Sequence, residues 1–144
     1  MLNGDGSETL DVVLFRAGGV LFAVPAENAR EAQHDRSRRR PALDLAVVLG
    51  RRPSGSQILV VTAGRRRLCL RVDEVEEVTA LPLETIHRLP SAAADSHRGG
   101  YVVGVAERGD ELALMLDVGA LMRAEAEIAP RGAAHRSQCA SGAT

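Results

Sequence analysis

A chain of 144 residues with 45% hydrophobic and 26% charged side chains is long enough for one compact domain or two small subdomains sharing a core, and too apolar for general disorder. Eighteen Lys and Arg against nineteen Asp and Glu leave a formal net charge of -1, which excludes an overall electrostatic pull toward nucleic acid. Aromatics are only 2%, so the interior has to be built from Val, Leu and Ala, and Val-rich runs favour strands.

In chain order, residues 1–9 read as a flexible N-terminus. Residues 10–16 form an apolar strand, Gly18 and Gly19 a tight turn, and residues 20–24 a returning strand. Residues 35–41, with Arg36, Arg38, Arg39, Arg40 and Pro41, read as an exposed loop. Asp44 is placed to cap a short apolar helix, and residues 51–56 make another loop. A second hairpin runs out over residues 58–63, turns at Gly64 and Arg65, and returns with Leu68, Leu70 and Val72 facing one core. Cys69 reads as a small core residue, and Arg65, Arg66, Arg67 and Arg71 as the polar face. Residues 81–86 suggest a turn and a brief helical turn. The clearest hairpin joins residues 101–106 to 111–116 through Gly109 and Asp110. Gly104 within it marks a bulge, a barrel bend or a close backbone approach. Asp117 caps a final helix that runs to about Ala129, and residues 126–144 are its end and a mobile tail.

The first two hairpins are copies of one unit. Residues 14–25 lie over residues 60–71 without a gap, and the match continues from residues 26–31 onto 72–77. The endings match too, since Leu43-Asp44-Leu45 resembles Leu116-Asp117-Val118. Strands apolar on both faces need cover on both, as in small barrels packed together.

Residues suited to catalysis are sparse. His34, His87, His97 and His135 are scattered without metal-ligand spacing, and there is no nucleophile elbow and no phosphate loop. No cofactor or metal is expected. The arginine clusters suggest a basic-patch barrel binding nucleic acid as the alternative, but Phe15, Phe22 and Tyr101 offer little for base stacking. No apolar run reaches the roughly 18 residues that cross a bilayer, and the first residues lack the basic-then-apolar order of a signal peptide, so a cytoplasmic setting is expected.

The order of these elements resembles the CheW-like chemosensory adaptor family. The resemblance rests on residues 15–25 with Ala29-Arg30-Glu31, on Leu43-Asp44-Leu45, and on residues 68–78, 99–106 and 114–118. It implies a mainly all-β fold of two SH3-like β-barrel subdomains with short helices and a C-terminal helix. Residues 10–125 would form the domain, with a first subdomain at about 10–55 and a second at about 56–118. It also implies a non-catalytic adaptor binding chemoreceptor cytoplasmic tips, together with a CheA-type histidine kinase or a second CheW-like protein. Such an adaptor would reach the membrane only through the receptor. By position, Val24, Pro25, Ala26, Val102, Val103 and Val105 would line the partner groove, and Arg39, Arg40, Arg65 and Arg66 its polar rim. The family's Gly-x-x-Asn-Leu-Arg-Gly segment and its strand are missing, with residues 35–41 in their place. The first barrel is therefore expected to be incomplete, as in a divergent FrzB-like accessory adaptor.

Overall fold

A computed structural model describes residues 8–35, 41–89 and 101–128, with side chains through Arg123. Among the described residues, ten strands form two sheets: β1 (Thr9–Ala17), β2 (Val20–Pro25), β3 (Ala29–His34), β4 (Leu43–Asp44), β5 (Gln57–Ala63), β6 (Arg66–Val72), β7 (Glu74–Pro82), β8 (Ile86–Arg88), β9 (Val102–Arg108) and β10 (Glu111–Leu116). The described helices α1 (Leu45–Val48) and α2 (Val118–Ile128) each follow a strand that ends at an aspartate or just before one. As the sequence predicts, the chain is mostly β. The larger sheet has the order β7-β1-β2-β10-β9-β8, and the smaller β3-β5-β6-β4.

These sheets do not divide the chain at residue 55. The hairpin β1-β2 lies between β7 and β10, and the hairpin β5-β6 lies between β3 and β4. Each sheet thus holds the hairpin of one half inside strands supplied by the other half. Chain order predicts two consecutive barrels, whereas hydrogen bonding exchanges the flanking strands.

The exchange is reciprocal to the level of register. Phe15 faces Phe22 as Val61 faces Leu68, and β7 pairs antiparallel with β1 as β3 does with β5. In both of these pairs one residue is bulged out, Glu76 and Arg30 respectively, and the two are equivalent in the sequence repeat. Both closing strands run parallel to a returning strand, β10 to β2 and β4 to β6. The turns agree as well: Gly18 and Gly64 both have φ of 61°, a left-handed backbone that glycine adopts without the strain a β-carbon brings.

The caps are as predicted. Asp44 Oδ1 accepts from the Ala46 and Val47 N–H groups at 3.0 and 3.4 Å, and Asp117 Oδ1 accepts from the Ala120 N–H at 2.9 Å. In each case the carboxylate satisfies N–H groups that the first helical turn leaves without a partner.

The large sheet rolls into a barrel. Its interior holds Val12, Leu14, Leu21, Ala23, Leu81, Ala106, Ala113 and Met115, and an Arg108–Glu77 ion pair joins β9 to β7 although three strands separate them in the sheet. The opposite face meets the small sheet over a shared core that includes Val13, Phe15, Phe22, Val24, Leu59, Val61, Leu68, Leu70 and Val72. Leu68, Leu70 and Val72 therefore do face one core, as their alternation predicts. Among the described residues, the small sheet has Ile58, Val60 and Cys69 clustered on its other side, with Ala42 against them. Among the described residues it has four strands against six.

Arg71 departs from the sequence reading. It is 5% exposed rather than on a polar face, and its Nη2 donates to Asp35 Oδ2 at 3.0 Å. β6 is an inner strand covered on both faces at this end, so its polar member is buried with an ionic partner. Gly104 marks a close approach: a β-carbon there would lie 2.8 Å from the His87 carbonyl oxygen of β8. β1 begins at Thr9, and the Glu8 carbonyl accepts from the Leu83 N–H at 3.0 Å, so the chain is ordered slightly earlier than predicted. The tail from residue 129 and residues 1–7 lie outside the described residues.

Arg16 joins three strands at one end of the large sheet. Its Nη1 and Nη2 donate to the two oxygens of Glu111, both at 2.7 Å, and its Nε donates to Glu76 at 2.5 Å. The hydrogen bonds from Arg16 hold the Glu111 carboxyl below the usual glutamate range, while Glu111 first and Glu76 second push the guanidinium further up. A folded-state value below the unfolded one means the stabilisation is complete at neutral pH. It is lost as pH falls through the folded Glu111 value. Replacing Glu111 with Gln is expected to flatten the acid limb of the thermal midpoint against pH and to leave the alkaline limb unchanged. Because these side chains are partly exposed, the change is modest.

Candidate functional site

The exchange of strands leaves a cleft of about 330 Å³ between the sheets. It is lined by Val13, Ala26, Ala29, Ala32, Leu59, Val75 and Val78, with Arg30 and Glu31 beside them. In the repeat, Val13 is equivalent to Leu59, Ala29 to Val75, and Ala32 to Val78. Pairing repeats the equivalence, with Val13 opposite Val78 and Leu59 opposite Ala32. The cleft therefore sits where the two halves meet about a local two-fold relation, walled by β3 on one side and β7 on the other. Its lining is small and apolar because β3 offers alanines. Such a surface provides shallow holes for apolar side chains rather than a polar reaction chamber.

Ala26 enters this cleft through the short 3-10 turn Ala26–Asn28 that carries the chain from the large sheet to the small one. Pro25 precedes that turn and is half-buried. Asn28 Nδ2 donates to the Thr62 carbonyl at 2.9 Å and pins the turn to the end of β5. A matching turn, Leu83–Thr85, follows Pro82.

The other residues expected in the groove go elsewhere. Val24 and Val102 are buried in the shared core, so neither lines an open surface. Val103 lies in a second cleft with Leu83, Ile86, Arg88, Gly104 and Met115, on the far edge of the large sheet. Val105 is half-buried opposite His87 and Leu114. Residues 102–105 and 24–26 are thus not brought together in one groove. Arg65 and Arg66 are exposed at the tip of the second hairpin, while Arg39 and Arg40 lie outside the described residues. Ala29, Ala32, Leu59, Val75 and Val78 did not emerge from the sequence as site residues, although extending the repeat by one residue at each end aligns them.

His87 Nε2 lies 2.6 Å from Glu107 Oε2, both well exposed. Among the described residues, no three His, Cys, Asp or Glu side chains are placed to hold a metal ion. No helix among them is long and apolar enough to cross a membrane.

The domain model that matches the sequence is the CheW-like domain, over residues 34–126, more than half of the chain. The chain belongs to the CheW-like domain family. Among solved structures it is similar to the scaffolding protein TtCheW from Thermoanaerobacter tengcongensis, at 20% identity and a TM-score of 0.63, with 76% of this chain and 90% of that chain covered. No curated protein matches in sequence. The matched region starts at the end of β3, so the β1-β2 hairpin is tied to the CheW-like part by pairing with β7 and β10. The match is to the CheW-like domain as a whole and does not single out a FrzB-like subtype.

Proposed function

We propose that this chain is a non-catalytic adaptor in a bacterial chemosensory pathway and that its inter-sheet cleft receives the cytoplasmic tip of a chemoreceptor. The observation that carries the reading is the cleft's apolar lining of small side chains at the junction of the two halves. An amphipathic helix can seat apolar side chains there, with Arg30 and Glu31 setting its orientation from the rim. Family membership and the likeness to a scaffolding protein support it. The protein would then work in the cytoplasm at receptor arrays.

A CheA-type kinase is the second partner in this reading. Residues 35–41 replace the family segment that precedes the Leu-Asp-Leu element, so receptor binding is expected to persist where kinase binding is weakened. The nucleic-acid alternative has less support. Phe15 and Phe22 stack on each other inside the core with centroids 5.6 Å apart, and Tyr101 is buried with them. These are all the aromatic residues of the chain, which leaves no platform for bases beside the exposed arginines.

Ala32→Arg tests the site. Ala32 is exposed on β3, so the change is expected to move stability by less than about 0.5 kcal/mol. Calorimetric titration with a chemoreceptor cytoplasmic fragment is expected to show binding weakened at least about tenfold, a loss of about 1.4 kcal/mol. Equal affinity of the variant and the parent would place the receptor elsewhere.

A further inference from the structure

Strand β7 is an edge of the large sheet. It extends for nine residues and pairs with β1 along one side, and on its other side no strand lies among the described residues. An extended edge is a template for pairing with another chain, and proteins commonly blunt such edges with charge, proline or short length. Here the charge is confined to one end. Glu74, Glu76 and Glu77 precede Val78, whereas Thr79, Ala80 and Leu81 follow it before Pro82. Val78 is 68% exposed, the highest value among the exposed large hydrophobic residues described. The equivalent position on β3 is Ala32, so the repeat itself does not call for a valine.

We infer that β7 pairs antiparallel with β7 of a second copy of this chain, about a two-fold axis at Thr79. The acidic residues decide the occupant and its direction. In this arrangement Glu77 faces Leu81 of the second copy, and Val78 faces Ala80 of the second copy, so no carboxylate opposes another. Parallel self-pairing in register would set Glu77 against Glu77, and like charges directly opposite destabilise a sheet. Glu76 and Glu77 are also neutralised within their own copy by Arg16 and Arg108. The bulge at Glu76 limits the regular stretch to residues 77–81, which the proposed axis bisects. The interface is isologous, the commonest symmetry for a homodimer. It covers the valine that the fold leaves open.

The test is sedimentation velocity of the full chain over a concentration series, combined with amide hydrogen exchange at its two ends. The expected result is a concentration-dependent dimer with slowed exchange confined to amides within residues 77–81. Val78→Glu is expected to raise the dimer dissociation constant at least about tenfold with an unchanged thermal midpoint, since the side chain is exposed. Ala80→Glu, which sets a carboxylate against Val78 of the second copy, is expected to do the same. A monomer at every concentration, a dimer protected at some other strand, or full dimerisation of both variants would overturn the inference. Val78 also lines the cleft assigned to the receptor, so sedimentation is run on the chain without receptor fragment, and Ala32→Arg, which weakens receptor binding in the proposed function, is expected to leave the dimer unchanged.

Discussion

Phe22→Ala is expected to destabilise the protein by about 3–5 kcal/mol, a large part of the stability of a domain this size. Phe22 is fully buried and stacks on Phe15 directly across the β1-β2 pair. It belongs to the core shared by the two sheets, and its strand also pairs with β10 from the other half. With only two Phe, one Tyr and no Trp in the chain, no large side chain nearby can swing in to fill the space. Leu112→Ala is the control, because Leu112 is mostly exposed on β10 and its truncation is expected to change stability by under about 0.5 kcal/mol. Urea denaturation distinguishes the two: the midpoint falls for Phe22→Ala with its slope retained and barely moves for Leu112→Ala.

The second large effect concerns charge. Arg71→Met is expected to cost about 3–5 kcal/mol, because it takes the guanidinium away from a carboxylate held in a water-poor site. Arg71 lies on β6 and Asp35 directly follows β3, so the pair fixes the start of the link that leads from β3 to β4. The Asp35 N–H adds a 2.7 Å bond to the Ser56 carbonyl at the same place. Replacing both members with apolar residues, Asp35→Leu with Arg71→Met, is expected to recover most of the loss, since apolar substitutes escape the cost of removing two ions from water. Denaturation of the single and double variants checks the sign of that coupling. A single variant within about 0.5 kcal/mol of the parent would mean that the pair adds little to the fold.

The hairpins were legible because their signals are local. A glycine at the first loop position, apolar runs on both sides and a gapless repeat locate β1-β2 and β5-β6, and the same repeat carries through the bulges at Arg30 and Glu76. The exchange of flanking strands was not legible. Nothing local tells β3 to pair with β5 rather than with β1, since both hairpins offer an apolar edge, and the choice is made by long-range packing. Arg71 was misread for a related reason. Alternation identifies two faces of a strand but does not reveal that both are covered. Position in the family resemblance points to Val24 and Val102 for the groove, yet strongly apolar strand positions such as these are the ones the core consumes. The residues that line the cleft are alanines and edge valines, which remain partly open because β3 and β7 each lack a neighbour on one side. Of the residues expected in the groove, Ala26 is the one that lines this cleft.

The claim on which the account turns is that a receptor helix occupies the cleft between β3 and β7. The most direct measurement is chemical-shift mapping on the isotope-labelled full chain titrated with a chemoreceptor cytoplasmic fragment. The account expects the largest changes at Val13, Ala26, Ala29, Ala32, Leu59 and Val75, residues drawn from both halves of the repeat. Changes confined to Leu83, Ile86 and Val103 on the opposite edge of the large sheet, or no changes at saturating fragment, would contradict it.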